Sequence, residues 1–192
     1  MTGRVLTLAS ASPRRRQLLE MLGIPVVVKP SHIPEIHRPG EAPGAYAARL
    51  AREKASNVAG EWVLGADTTV VLDRELLEKP MDDEDAVRML SLLQGRTHEV
   101  VTAVALIAGG AVRERIDVTE VTFRPMTEAL LRAYVATGEP MDKAGAYGIQ
   151  GYGAALVERI DGDFFGVMGL PVRLVIELLG EAGWEYGFGQ ER

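Results

Sequence analysis

Three consecutive arginines, Arg14-Arg15-Arg16, follow the stretch Ser10-Ala11-Ser12-Pro13 near the start of the chain. Ser12 suits a helix N-cap and Pro13 the first helical position, so the arginines fall in the first turn of a helix. Cations there oppose the helix dipole. An anion bound at the same spot resolves that conflict, because helix N-terminal N–H groups and guanidinium forks both take phosphate oxygens. Four further residues sit where their types are unusual. Asp67 interrupts the best strand of the chain, Trp62 to Leu72. Lys54 falls on the stripe Tyr46, Leu50, Lys54, Val58. Lys79 stands before Pro80, and Lys143 lies beside a glycine-rich run. With Glu35, Ser10 and Ser12 they make the mix that phosphoryl transfer uses. Cations and a divalent metal offset phosphate charge, and a carboxylate orients water or binds the metal.

Each of these has a plainer reading. A lysine or arginine taken singly is usually a solvated surface charge. Lys54 could snorkel at the edge of its stripe. Arg14 and Arg15 lie one turn before Leu18 and Leu19, toward the buried edge, whereas Arg16 lies one turn before Glu20 and reads as a solvated pair. Aspartate is poor in strands and costly when buried alone, so Asp67 is either at a solvent-facing strand end or held for chemistry. His32, His37 and His98 have no metal-ligand spacing: the first two read as loop residues, and His98 as a satisfied polar residue at a strand start.

The elements that must position these groups follow from apolar periodicity and punctuation. Strands are predicted at Val5–Leu8, Val26–Val28, Trp62–Leu72, Leu76–Glu78, His98–Ile107, Ala111–Phe123 and Ala154–Ile160. Helices are predicted from Pro13 to Gly23, from Ala42 or Pro43 to before Gly60, from Asp82 or Asp83 to Gly95, from Thr127 to Gly138, and from Pro171 to Ala182. The tail after Trp184 is expected to fray. Strands and helices mix irregularly, which predicts an α/β or α+β fold with a mixed sheet rather than a regular βαβ series.

Bulk properties exclude several classes. The 192 residues carry a net charge of −6, with 47% hydrophobic and 25% charged residues. An acidic chain is a poor general nucleic-acid binder, so no nucleic-acid partner is expected. No cysteine is present, which excludes disulfides, thiolate nucleophiles and cysteine-ligated zinc. No apolar run approaches a membrane span, and Met1–Leu8 is too short for a signal peptide. No membrane partner is expected, and the cytoplasm is the default location.

Six segments in order carry a resemblance. They are Leu8–Arg15, Leu64–Val71, Lys79-Pro80, Gly95–Thr102, Asp142–Gly151 and Gly169-Leu170-Pro171. Together they resemble the Maf family of nucleoside triphosphate pyrophosphatases, from about Leu6 to Leu179. The resemblance implies one Maf-like domain over residues 1–192. Its fold would be a mixed α/β arrangement with an elongated central sheet, flanking helices and two lobes around a cleft, similar to inosine triphosphate pyrophosphatases. It implies hydrolysis of a nucleoside triphosphate between the α and β phosphates with a divalent cation, Mg2+ or Mn2+, in the cytoplasm. Homodimers are common in such proteins.

Carried over residue by residue, Asp67 matches the general base and a metal ligand, and Glu35 a second metal ligand. Ser10, Arg15, Lys54 and Lys79 match phosphate-handling positions. Arg14, Thr68 and Gln150 match the positions that mark the subgroup acting on dTTP and UTP; a glutamine amide can read a pyrimidine edge. Gln94 and the stretch Ser31-His32-Ile33-Pro34 depart from the family pattern. Two alternatives stand beside this reading: a nucleotide-binding regulator of cell division and septum formation, and a purine housecleaning enzyme of the inosine triphosphate type.

Overall fold

The computed structural model describes residues 4–188. Its strands are β1 (Leu6–Leu8), β2 (Val26–Val28), β3 (Trp62–Leu72), β4 (Glu75–Leu77), β5 (Thr97–Ala108), β6 (Ala111–Phe123) and β7 (Val157–Asp161). Its helices are α1 (Pro13–Met21), α2 (Pro43–Ser56), α3 (Asp83–Leu93), α4 (Glu128–Val135), α5 (Phe164–Val167) and α6 (Val172–Glu181). The strands form one seven-stranded sheet in the order β2-β1-β3-β5-β6-β7, with β4 paired to β3. β1 runs parallel to β2 and β3, while the β3–β4 and β6–β7 pairs are antiparallel. The protein is therefore a mixed α/β fold with a central sheet and flanking helices.

The chain divides into two compact units. The first takes the residues up to Asp67, Thr102–Asp117, and the residues from Gly169 onward. Its core buries Leu6 and Leu8 of β1, Leu18 and Leu19 of α1, Leu50 of α2, Leu64 of β3, Leu106 of β5 and Leu178 of α6. The second takes Thr68–Val101 and Val118–Met168. Its core packs Val70, Leu90, Leu93, Phe123, Leu131, Tyr134 and Tyr147 together.

Most predicted elements form where the residue pattern places them. Asp82 caps α3 by accepting from the Asp85 amide at 2.8 Å, and Thr127 caps α4 by accepting from Leu130. Three expectations need correction. The last strand starts at Val157 rather than Ala154, because the preceding residues 151–156 wind into a 3-10 turn. The Tyr152 and Gly153 amides there donate to the Glu139 carboxylate and not to a strand neighbour. The tail does not fray immediately: Trp184 packs edge-on against Trp62, and the Tyr186 hydroxyl donates to the Leu22 carbonyl at 2.9 Å. Residues 189–192 of that tail, and residues 1–3 of the predicted N-terminal apolar stretch, lie outside the described residues. Finally, α5 was not predicted; Asp163 caps it by accepting from the Phe165 and Gly166 amides.

Candidate active site

Helix α2 begins with Pro43 and carries Tyr46, Leu50 and Lys54 along one buried face. It lies directly against β3 because Gly65 has no side chain. A Cβ at Gly65 would sit 2.1 Å from the Ala51 carbonyl oxygen and 2.8 Å from the Ala55 nitrogen. Ala51 and Ala55 flank Lys54, so this backbone approach carries the lysine to the strand. Its Nζ lies 2.7 Å from Asp67 Oδ1 and 2.6 Å from Glu35 Oε1. The Lys54 and Asp67 side chains are 9% and 8% exposed, and Glu35 is 41% exposed. The lysine does not snorkel to solvent: it neutralises a buried carboxylate, which would otherwise be costly.

Arg15 occupies the same unit. Its Nε donates to the Gly169 carbonyl at 2.7 Å, and its Nη1 donates to the Ala66 carbonyl at 2.9 Å and to Ser10 Oγ at 3.0 Å. This guanidinium ties β1, β3 and the chain leading into α6 together. Burial lowers its pKa from the usual arginine value; Asp67 and Glu35 oppose that shift and Arg14 adds to it. Ser10 Oγ also accepts from the Ser12 amide at 3.2 Å. With both lone pairs engaged, its own O–H is left as a donor for an anion. Arg14 is half-buried. Arg16 is exposed and pairs with Glu20 at 2.7 Å, as its spacing predicts.

The loop that carries Glu35 has no regular structure. Arg49 of α2 holds it. Its Nη2 donates to the Ile36 carbonyl at 2.9 Å, and Nε and Nη2 grip the two Glu41 oxygens at 2.7 Å each. These bonds from Arg49 hold the Glu41 carboxyl down at about 2. The structure thus gathers Ser10, Arg15, Lys54, Asp67 and Glu35 in one unit.

Thr68, Lys79 and Gln150 belong to the second unit. Thr68 is half-buried on β3. Lys79 is exposed, and the carbonyl of Glu78 before it accepts from the Gly145 amide at 3.1 Å. Gln150 is exposed in the turn before residues 151–156. Lys143 is spent locally, on Asp142 Oδ1 at 2.6 Å and on the Glu139 carbonyl. His98 is satisfied at one nitrogen only: Nε2 lies 2.8 Å from Tyr147 Oη, while Nδ1 is buried without a partner.

Several participants escaped sequence reading. Gly65 lies inside the Leu64–Val71 segment but has no side chain to mark a role, and Arg49 lies in none of the six segments. The Gly169 carbonyl is a backbone atom with no side-chain signal, although Gly169-Leu170-Pro171 is one of the quoted segments.

The carboxylates suit one kind of metal site. Asp67 and Glu35 both present oxygens at a single ammonium nitrogen. Magnesium takes one or two carboxylates and completes its shell with water and substrate phosphate. Among the described residues, no three His, Cys, Asp or Glu come together as an all-protein cage. The donor set fits an ion that arrives with a triphosphate. Among the described residues, too, no helix is long and apolar enough to cross a membrane.

Comparison with known proteins places the chain clearly. The profile of the family described as Maf-like protein matches residues 5–182. A dTTP/UTP pyrophosphatase of Koribacter versatilis is 48% identical over 185 residues, 94% of this chain and 96% of that protein. One of Geobacter metallireducens is 50% identical over 93% of this chain and 96% of its own. One of Myxococcus xanthus is 51% identical over 93% of both. Among solved structures, the Staphylococcus aureus Ham1 protein is similar over 80% of each chain, at 12% identity and a TM-score of 0.47.

Proposed function

Because the chain belongs to the Maf family, we propose that it is a dTTP/UTP pyrophosphatase, acting in the cytoplasm. It hydrolyses the bond between the α and β phosphates to give the nucleoside monophosphate and pyrophosphate. Near-full-length relatives at 48–51% identity carry that name. The observation in this chain that carries the reading is the Lys54 ammonium holding Asp67 and Glu35 together.

The resemblance and the geometry of the first unit support the following assignment of roles. Asp67 is the general base. Lys54 holds its Oδ1, and we assign Oδ2 to the attacking water, whose proton it takes as oxygen bonds to phosphorus. Lys54 keeps that carboxylate oriented in a buried place. The Ser10 O–H donates to phosphate. Arg15, with Arg14 beside it, places positive charge at the start of α1, where α1 has no acidic residue in its first turn. In the second unit, Lys79 carries phosphate charge, and Thr68 and Gln150 serve pyrimidine selection. A divalent ion held by Asp67 and Glu35 would supply charge neutralisation on the phosphates when bound.

The test is incubation with magnesium or manganese and a panel of nucleoside triphosphates, with monophosphate and pyrophosphate both measured. Pyrophosphate from dTTP and UTP, little from purines, and silence after chelation are expected. Preference for a purine overturns the subgroup. Orthophosphate and diphosphate place the cut at another bond. Binding without turnover turns the reading toward a regulator.

A further inference from the structure

The second unit contains a polar clamp that the hydrolysis does not use. Glu139, just after α4, has its carboxylate wrapped by residues 148–153. Its Oε1 accepts from the Gly153 amide at 2.9 Å and from the Tyr134 hydroxyl at 2.9 Å; its Oε2 accepts from the Tyr152 amide at 2.9 Å. Tyr134 Oη in turn accepts from the Gly148 amide at 3.1 Å. Both ends of the segment therefore converge on two side chains, with Gln150 between them. Gly151 closes the wrap at φ 68°, and a Cβ there would sit 2.5 Å from Glu139 Oε2. Burial pushes the Glu139 carboxyl up, but the hydrogen bonds it accepts prevail and hold it below the usual range, so it is a charged acceptor at neutral pH. Gln150 itself is exposed, and no hydrogen bond ties its side-chain amide to the described residues.

We propose that Glu139 is a positioning residue for pyrimidine selection: through the Tyr152 and Gly153 amides and Tyr134 it fixes the backbone that presents the Gln150 amide to the nucleobase. The proposal rests on the reading that Gln150 faces the base. Its physical content is that a carboxamide is both donor and acceptor. Uracil and thymine offer a ring N–H beside a carbonyl; cytosine offers a ring acceptor beside an amine. A glutamine on a loose loop can turn to meet either. A glutamine on a clamped loop meets one better. Charge-assisted bonds to backbone N–H groups are the stronger kind, which suits a carboxylate to the task.

The experiment compares kcat/KM for UTP and CTP in the wild type, Gln150→Ala, Glu139→Ala, Glu139→Gln and the double variant Glu139→Ala/Gln150→Ala. Thermal unfolding of each confirms that it folds. Gln150→Ala and Glu139→Ala are each expected to lower the UTP-to-CTP ratio about ten-fold, the worth of one neutral hydrogen bond. The loss should appear in KM, with kcat held within a few-fold, because Asp67 is untouched. Glu139→Gln, which keeps one acceptor oxygen, should fall between. The double variant should be no worse than Gln150→Ala, since the two act as one device. A merely structural role for Glu139 predicts additive losses instead, and that outcome overturns the proposal. So does an unchanged ratio in Glu139→Ala, or in Glu139→Gln should the alanine variant not fold, while Gln150→Ala loses selectivity; Gln150 then keeps its role. An unchanged ratio in Gln150→Ala overturns the base reading and the proposal with it.

Discussion

Lys54 Nζ and Asp67 Oδ1 lie 2.7 Å apart, the ammonium on helix α2 and the carboxylate on strand β3, both almost wholly buried. Burying the Asp67 charge without the lysine would be costly. The pair explains two sequence anomalies at once: a lysine on an apolar stripe and an aspartate inside the strongest strand.

If Asp67 takes the proton of the attacking water, Asp67→Asn should lower kcat on the order of a hundred- to ten-thousand-fold. Asparagine keeps the shape and the contact with Lys54 but is a far weaker base. Nucleotide affinity, measured by calorimetry, should stay within a few-fold. Full pyrophosphate release by this variant would remove Asp67 from its role.

Lys54→Ala leaves Asp67 buried without its cation. Loss of one partner of such a pair costs about 3 kcal/mol or more. Urea unfolding should show that loss, and the double variant Lys54→Ala/Asp67→Asn should recover part of it. Additive losses would mean that the two charges are not coupled.

Gly65→Ala tests the approach of α2 to β3. The new Cβ meets backbone atoms of Ala51 and Ala55, which cannot rotate away. The helix must shift, at a cost of about 1–3 kcal/mol. Lys54 then moves off Asp67, so activity should fall even where the variant is fully folded. Wild-type stability and activity in this variant would show that the close contact is unimportant.

His98 predicts an acid limb. Burial lowers its pKa from 6.5 to about 4, so the folded protein keeps it neutral while the unfolded chain takes up a proton near 6.5. Between those values the unfolded state binds more protons, and stability falls as pH falls. The contribution is complete above about pH 6.5 and is lost toward pH 4, amounting to at most about 3 kcal/mol. His98→Gln should flatten that limb in urea midpoints taken between pH 7.5 and 4.5. An unchanged slope would assign the acid loss to other groups.

Local signals made most elements legible. The caps Asp82 and Thr127 and the alternation of Ala111–Phe123 depend on neighbours in sequence, and those elements form as predicted. The 3-10 turn at 151–156 was not legible. Its amides are claimed by Glu139, more than ten residues earlier, and no local rule anticipates that competition. Arg15 stood out in the sequence as a cation at a helix start. That its guanidinium reaches the Ala66 and Gly169 carbonyls was hidden, because backbone oxygens carry no residue-type signal.

By itself the sequence determined which residues are chemically out of place: Asp67 in a strand, Lys54 on an apolar stripe, arginines at the positive end of a helix. Those are conflicts between residue type and local environment, and local environment is written in the neighbouring residues. Only the tertiary structure decided how the conflicts resolve. Lys54 meets Asp67 and Glu35 because Gly65 lets two backbones touch, and Arg49 anchors the loop that brings Glu35 in. Such pairings depend on distances between segments far apart in the chain, and long-range packing sets those distances where residue spacing does not.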